Sequence, residues 1–273
     1  MKIHLGPAGI PITSKGSSTI DGIKRVAELG LDAMEIEFVR GVHMGIEMAK
    51  SVGKIAKDLG IILSVHAPYF INLCNPEKLE ASKKRILDSC ERAHYLGAWI
   101  VVFHPGYYGG LSKEKAFEYV EKACEEINET VEKNGWNVKL GLETTGKVSQ
   151  FGTLEEEIKI HRKIRNCIPV VDFAHIFARN GGRIDFREVL EKLESLRLGN
   201  YHTHFSNIEY TEKGERNHLT LGHKKPDFGE LAKALIKSRI REITIISESP
   251  VLEKDSLKMK EILSKFGYKR GRK

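Results

Sequence analysis

Six successive apolar segments of the chain each end in an ionisable side chain. A single histidine at a strand end is usually a structural residue whose hydrogen bonds are satisfied. Six such ends in succession are hard to explain by packing, because crowded carboxylates and imidazoles carry desolvation and repulsion that must be offset. The side chains at these ends are His66, His104, Glu143, Asp172 with His175, His202 with His204, and Glu248.

Bound divalent cations would offset this crowding. Neutral imidazoles and carboxylates without thiolates suit Zn²⁺, Mn²⁺ or Fe²⁺. Cys74, Cys90, Cys124 and Cys167 are far apart and form no CxxC pair, so we interpret them as reduced, mostly buried thiols. The residues alone therefore predict a multinuclear metal site built from histidine and carboxylate ligands.

Short β-branched runs alternate with amphipathic segments along the whole chain, and this alternation would position the ionisable ends. The 273 residues are compatible with two small domains, but no linker or change of composition divides them. Neither a GxGxxG nor a P-loop motif supports an open nucleotide-binding sheet. Eight strand–helix units favour an α/β fold with a single (β/α)8 TIM barrel over residues 1–273, in which all strand ends meet at one face.

The boundaries of these units follow from the hydrophobic periodicity. The predicted strands are Ile3–Leu5, Ala33–Phe38, Ile61–His66, Trp99–His104, Lys139–Glu143, Ile168–Asp172, Tyr201–Phe205 and Ile243–Glu248. The predicted helices are Thr19–Leu29, Met44–Leu59, Glu80–Leu96, Lys113–Lys133, Leu154–Ile164, Phe186–Leu196, Phe228–Lys237 and Asp255–Phe266.

Composition narrows the class of protein further. A hydrophobic fraction of 41% in regular runs excludes intrinsic disorder. The longest apolar runs, such as Ala98–Phe103, are far shorter than the ~20 residues that span a bilayer. The N-terminus has no apolar core of the kind found in signal peptides. We therefore predict a soluble, cytoplasmic protein without a membrane partner.

The chain carries an excess of basic residues, with 44 Lys and Arg against 37 Asp and Glu. The resulting net charge of +7 suits a polyanionic partner such as nucleic acid. A Lys- and Glu-rich surface like that of thermophile proteins explains it equally well. The basic tail Lys269–Lys273 is interpreted as a solvated end.

Five motifs, in chain order, carry a family resemblance. They are VHAPYFINL at Val65–Leu73, FHPG at Phe103–Gly106, LETTG at Leu142–Gly146, VDFAH at Val171–His175 and SESP at Ser247–Pro250. Together they resemble the endonuclease IV family, the second family of apurinic/apyrimidinic endonucleases, within the xylose-isomerase-like barrels. The resemblance covers nearly the whole chain, and the combination of motifs is specific.

The resemblance implies a zinc phosphodiesterase site with two or three ions, for which Mn²⁺ or Fe²⁺ are alternatives. His66 and His104 would bind the first metal, and Glu143 would bridge it to the second. Asp172, His202 and Glu248 would complete the second. His175 and His218 would hold the third.

One position departs from the family pattern. The family places an aspartate two residues before the histidine matched to His218, where this chain has Arg216. A cation cannot ligate zinc and would repel it. Glu215 could substitute if the loop shifts; otherwise the third site is weak or empty and Arg216 contacts a phosphate. His204 could be a further ligand, a partner behind the ligands or a surface residue, and we favour a partner behind the ligands.

The implied activity is hydrolysis of the phosphodiester 5′ to an abasic site in double-stranded DNA, by a monomer acting in base excision repair. Glu143 and Glu248 would be catalytic, as a bridging ligand and as a group that positions the attacking water. Tyr69 would insert near the lesion. Arg40 matches a second inserting residue more loosely.

Two other functions remain open. Sugar isomerases and epimerases of the same barrel superfamily commonly use one metal held by two glutamates, an aspartate and a histidine. A DNA-binding relative that recognises lesions without cutting them is a third candidate, which only Arg216 supports. Metal content together with turnover would discriminate between these functions.

Overall fold

Eight parallel strands stand side by side around one axis, in the order in which they occur along the chain. They are β1 (Lys2–Pro7), β2 (Ala33–Glu37), β3 (Ile62–His66), β4 (Ile100–Phe103), β5 (Lys139–Glu143), β6 (Cys167–Asp172), β7 (Tyr201–Phe205) and β8 (Glu242–Ser247). The computed structural model describes residues 1–268. Between β1 and β2 the barrel is joined by a parallel bridge of Ala8 to Glu35. The predicted (β/α)8 barrel is confirmed.

Helices cover the outside of the barrel. Ser18 and Thr153 begin α1 and α5 with capping boxes, in which side chain and backbone satisfy each other's hydrogen bonds. Gly60 and Gly97 end α2 and α3 at a φ of 67°, which glycine adopts without strain. The helices are α1 (Thr19–Glu28), α2 (Ile46–Leu59), α3 (Pro76–Leu96), α4 (Lys113–Lys133), α5 (Leu154–Lys163), α6 (Phe173–Arg179), α7 (Phe186–Glu194), α8 (Phe228–Lys237) and α9 (Glu253–Lys265).

The structure contains elements that the sequence analysis did not predict. Helix α6 starts directly after β6, because the Asp172 carboxylate accepts a hydrogen bond of 2.7 Å from the His175 amide and caps the first turn. An antiparallel hairpin, Asn207–Thr211 with Gly214–Leu219, follows β7. The remaining short elements are the strand pair Gly106–Tyr107 with Gln150–Phe151 and the 3₁₀ turn Leu221–His223.

The barrel interior changes from apolar to polar along the strands. Gly141 leaves room inside, since a Cβ there would lie 2.8 Å from Ile100 and from Val170. Because side chains alternate along a strand, Val170 and Asp172 point to the same side. An apolar plug therefore lies beneath the polar strand ends; its buried members are Ile100, Val102, Ile168 and Val170.

The expectations about membrane-spanning segments and about the cysteines can be compared with the structure. No helix within residues 1–268 is long and apolar enough to cross a membrane. All four cysteines are buried and unpaired, as predicted. The basic tail of residues 269–273 lies outside the described residues.

Candidate metal centre

The carboxyl ends of the strands meet in a pocket of about 450 Å³ at one end of the barrel. The side chains around it form adjoining groups. Within each group, the possible ligand atoms all lie within 4.8 Å of one another. The predicted ligands that the structure brings together around the pocket are His66, His104, Glu143, Asp172, His175, His218 and Glu248, while the predicted ligand His202 lies in a separate, deeper group with Glu35 and His204.

The first group consists of His66, His104 and Glu143, at the ends of β3, β4 and β5. The Nε2 atoms of His66 and His104 lie 3.0 and 2.8 Å from Oε2 of Glu143. Glu143 is fully buried, so its carboxylate faces these imidazoles without competing water. The arrangement offers two nitrogen ligands and one oxygen ligand to a single cation.

The second group shares Glu143 with the first and adds Asp172, His204 and Glu248. His204 Nδ1 lies 3.0 Å from Oε1 of Glu143 and 3.3 Å from Oε1 of Glu248. The two oxygens of Glu143 therefore face different groups, which is the geometry expected of a bridging carboxylate.

The third group joins α6 to the hairpin. It contains Asp172, His175, His218 and Glu248. Glu215 adds a further oxygen, with Oε2 2.9 Å from His175 Nε2. Ser206 Oγ lies 2.7 Å from His218 Nδ1 and orients that ring.

The structure differs from the prediction on β7. His204, not His202, lies with Asp172 and Glu248. His202 is buried deeper in the barrel, where its Nε2 lies 2.8 Å from Glu35. Residues two apart on a strand share a face, so alternation alone could not distinguish the two histidines. Their depth along the strand does.

The hairpin contains a β-bulge at the position where the endonuclease IV pattern has an aspartate. Glu209 pairs with Asn217 but Tyr210 pairs with Glu215, so Arg216 is the extra residue of its strand. The bulge places Glu215 on the same side as His218. Arg216 points away from the groups and forms an ion pair of 3.1 Å with Glu209.

Two ligand imidazoles are oriented by main-chain carbonyls. Nδ1 of His66 lies 2.8 Å from the carbonyl oxygen of Ala67, and Nδ1 of His175 lies 2.8 Å from that of Thr144. A carbonyl only accepts hydrogen bonds, so each Nδ1 carries the proton. Each Nε2 faces the groups, where a bound cation would take its lone pair.

The pKa values of the buried groups are strongly displaced. Burial lowers the pKa of His66, but the hydrogen bond to Glu143 and nearby carboxylates outweigh it and raise the pKa to about 10. Burial and the neighbouring Glu143 hold the pKa of Glu248 well above its usual range, although His204 opposes this. Protons thus compensate the crowded charges, and a divalent cation would displace them.

The donor set fits a transition-metal cation. His104 Nε2, Asp172 Oδ2 and Glu215 Oε2 are buried without a hydrogen bond, although other ligand atoms lie nearby. Buried polar atoms normally find a partner, and a shared cation would provide one. Imidazole nitrogens and carboxylate oxygens are the ligands that zinc, manganese and ferrous iron accept.

The residues predicted to contact DNA lie at different distances from the centre. Tyr69 lines the pocket with its ring 6.0 Å from that of His66, and it is 59% exposed. Arg40 is exposed in the loop after β2 and is not among the pocket-lining residues. Arg216 is exposed on the outer side of the hairpin.

Sequence reasoning missed several residues at the same mouth. Phe70 is 65% exposed beside Tyr69, and Tyr107 and Lys147 line the pocket. Phe70 and Tyr107 stand inside or directly after the quoted motifs, so aromatic side chains next to a predicted ligand were the available signal. Glu35 carried no signal, because it lies within an apolar strand.

Comparisons with known proteins agree with this architecture. The model of the family described as xylose isomerase-like TIM barrel matches residues 23–265. The chain belongs to this family. Among the relatives of this xylose isomerase-like barrel is an uncharacterized protein from Methanocaldococcus jannaschii, 38% identical over 263 residues, covering 92% of this chain and 93% of that protein. A probable endonuclease 4 from Mycoplasma mobile is 31% identical over 207 residues, covering 72% of each. The resemblance to the endonuclease IV family is thereby confirmed.

Solved structures show two kinds of enzyme on the same barrel. A D-tagatose 3-epimerase-like protein has a TM-score of 0.70 and 26% identity, covering 97% of both chains. Endonuclease IV from Thermus thermophilus has a TM-score of 0.71, covering 95% of this chain and 98% of that one. Its identity of 18% shows the shared fold alone. The superfamily is one of enzymes.

Proposed function

We propose that this protein is a metal-dependent endonuclease that hydrolyses the phosphodiester 5′ to abasic sites in DNA. The observation that carries the proposal is the ligand set beyond a single ion. Glu143, Asp172, His204 and Glu248 would suffice for one cation. The ligands of the first and third groups exceed that need and suit a multinuclear phosphodiesterase.

Zn²⁺ is the proposed cofactor, with Mn²⁺ or Fe²⁺ as alternatives. His66, His104 and Glu143 would hold one ion, and Glu143 with Asp172, His204 and Glu248 a second. His175 and His218, with Glu215 in place of the family aspartate, would hold a third. His202 is left out of the set, since its Nε2 is engaged by Glu35.

When bound, such ions supply an activated water and neutralise charge on the phosphoryl and leaving oxygens. The protein's own residues fix where this happens. Glu143 holds the first two groups side by side, since each of its oxygens faces one of them. Glu248 lies between His204 and His218 at the open side, where it can orient the attacking water.

The mouth of the pocket suits a damaged nucleotide. An abasic nucleotide leaves the helix cheaply because it has lost its stacking partner, and the exposed ring of Tyr69 can fill the vacated space. Lys147, which also lines the pocket, and the more distant Arg40 and Arg216 offer cations to the phosphates. We further propose that the enzyme acts as a monomer, in the cytoplasm.

The decisive experiment is incision of a 5′-labelled duplex that carries one tetrahydrofuran abasic analogue, with and without chelator. The analogue cannot undergo β-elimination and therefore reports hydrolysis only. We expect metal-dependent cleavage that leaves a 3′-hydroxyl. An intact duplex after incubation with zinc- or manganese-loaded protein would overturn the proposal.

A sugar epimerase is the second candidate, and Glu37 favours it. This carboxyl lines the pocket, and its Oε1 is buried without a hydrogen bond. Burial raises the pKa of Glu37 to about 7, which suits a proton-transferring group. A carboxyl facing the pocket also suits hydroxyl groups better than phosphates. Epimerisation of a ketohexose by the manganese-loaded protein, with no DNA incision, would establish this function instead.

A further inference from the structure

His204 is contacted on both sides of its ring. Its Nδ1 faces Glu143 and Glu248 in the second group of ligands. Its Nε2 lies 2.9 Å from Oε1 of Glu35, on the side away from the pocket. Both His204 and Glu35 are fully buried, so no water competes for this contact.

The other ligand imidazoles show what such a contact does. His66 and His175 each place one ring nitrogen on a main-chain carbonyl and direct the other at the groups. His204 has no carbonyl in that place. Within residues 1–268 neither its Nε2 nor Glu35 Oε1 is satisfied by a hydrogen bond, so the close ion-pair contact between them is what each has to offset its burial. Since a carboxylate can only accept, a proton shared in this contact lies on Nε2, and a cation held by Glu143 and Glu248 would take the lone pair of Nδ1.

We propose that Glu35 is a positioning residue of the metal centre: its carboxylate holds the His204 ring from behind, so that Nδ1 is presented to the second group. The inference rests on the proposed metal centre and assigns a role to a residue of the barrel interior. A carboxylate behind a ligand histidine fixes its tautomer and increases its basicity.

His202 completes the arrangement from below. Its Nε2 lies 2.8 Å from the second carboxylate oxygen of Glu35, and its ring meets the Trp99 ring edge-on at 5.7 Å. His202 thus contacts one carboxylate oxygen of Glu35, and the other oxygen faces His204. The three side chains make a continuous buried connection from the apolar plug to the metal ligands.

The test compares Glu35→Gln with His202→Gln. Glu35→Gln removes the negative charge and turns one of the two oxygens into a donor. His202→Gln changes the other partner of Glu35. The glutamine amide can still direct an N–H at Glu35, and the contact between Glu35 and His204 remains. Co²⁺ absorption spectra, zinc affinity by competition with a chromophoric chelator, and unfolding of the metal-free protein are measured for both variants and wild type.

We expect Glu35→Gln to lower metal affinity by at least about tenfold and to alter the Co²⁺ spectrum. His202→Gln should bind metal nearly as wild type does, at a comparable loss of stability. If Glu35→Gln does not fold, Glu35→Asp replaces it, because it withdraws the carboxylate by one methylene. Glu35→Asp should then lower metal affinity more than His202→Gln does.

Two results would overturn the role of Glu35 while leaving the metal centre in place. The first is a Glu35 variant with the metal affinity and Co²⁺ spectrum of wild type. The second is an equal loss of affinity in both variants that parallels their loss of stability. A wild-type protein that binds no Co²⁺ would instead remove the metal centre, and the proposal with it. The two failures are therefore distinguishable.

Discussion

The candidate metal centre has two halves that are held in different ways. His66 and Glu143 stand at strand ends, where pairing with neighbouring parallel strands fixes their positions. Glu215 and His218 stand on the hairpin, which lies outside the barrel sheet. The hairpin packs on α6 through Ile208 and Tyr210, and the Glu215 amide donates to the Gly146 carbonyl of the loop after β5 at 3.1 Å.

That loop is itself held by one side chain. Arg179 of α6 donates hydrogen bonds to the carbonyl oxygens of Lys147 and Gln150, at 2.6 and 2.9 Å, and to Thr145. The strand-end ligands are thus positioned by the barrel sheet, and the hairpin ligands by packing on α6 and by contacts with the loop after β5. Because of this difference, substitutions in the two halves should affect metal binding in different ways.

The largest effect is expected at the strand ends. Glu143→Gln removes the charge that faces two groups at once, and we expect activity to fall by at least about 10³-fold with loss of bound metal. Metal analysis and incision of the abasic duplex measure this. A variant with near-native incision would contradict the bridging assignment.

Substitutions of the neighbouring residues Glu215 and Arg216 test which of them faces the metal site from the hairpin. Glu215→Gln should weaken the most loosely bound ion by about 10- to 100-fold while the remaining metal stays. Arg216→Ala should leave metal content unchanged but reduce the salt dependence of DNA binding by about one ion. Titration with a zinc chelator and binding at several salt concentrations distinguish them. The reverse pattern would mean that the bulge places Arg216, not Glu215, inward.

The support of the hairpin can be removed without touching a ligand. Arg179→Met should cost about 2–4 kcal/mol of unfolding free energy, because several charge-assisted hydrogen bonds are lost. Zinc retention should drop for the loosest ion only. Arg187→Met is the matched control, since its ion pair with Glu191 is exposed to solvent and should contribute little to the free energy of unfolding. Denaturant unfolding of the metal-free proteins measures both, and equal losses would contradict the role of Arg179.

The smallest effect is expected at the opposite end of the strands, where His4 contacts Glu242 at 2.9 Å and Asp32 at 3.5 Å. Burial lowers the pKa of His4, but the hydrogen bonds to these carboxylates outweigh it and raise the pKa above the usual value. The stabilisation is therefore present below the unfolded pKa and is lost as pH rises through the folded one.

His4→Gln should thus cost about 1 kcal/mol or less at pH 5.5 and little at pH 9, measured as unfolding free energy. Added zinc should stabilise this variant as much as wild type. A cost that grows with pH would show that His4 is not held as an imidazolium.

Much of the frame could be predicted because it depends on local patterns. Near-continuous apolar runs and helices with period 3.6 define the barrel, and side chains at strand ends such as His104 and Glu143 converge by topology. Helix α6 was missed because seven residues are too few to show a helical period. Its cap, Asp172, was already assigned to a metal.

The remaining details depend on contacts between distant segments. Whether His202 or His204 reaches the pocket is decided by depth in the barrel and by Glu35, which lies more than 160 residues away in the chain. The turn of the hairpin is similarly fixed from outside. Gly214 has a φ of 99°, and a Cβ there would lie 2.1 Å from the Gly146 carbonyl oxygen. No local pattern contains this information.

The bulge at Arg216 also bears on how such centres change during evolution. A regular hairpin would present the residue two before His218 to the site, whereas the bulged one presents the residue three before, here a glutamate in place of a shorter aspartate. One inserted or deleted residue therefore exchanges the ligand while both strands keep their ends. Two lineages could hold the same ion with residues that no column-by-column alignment would match.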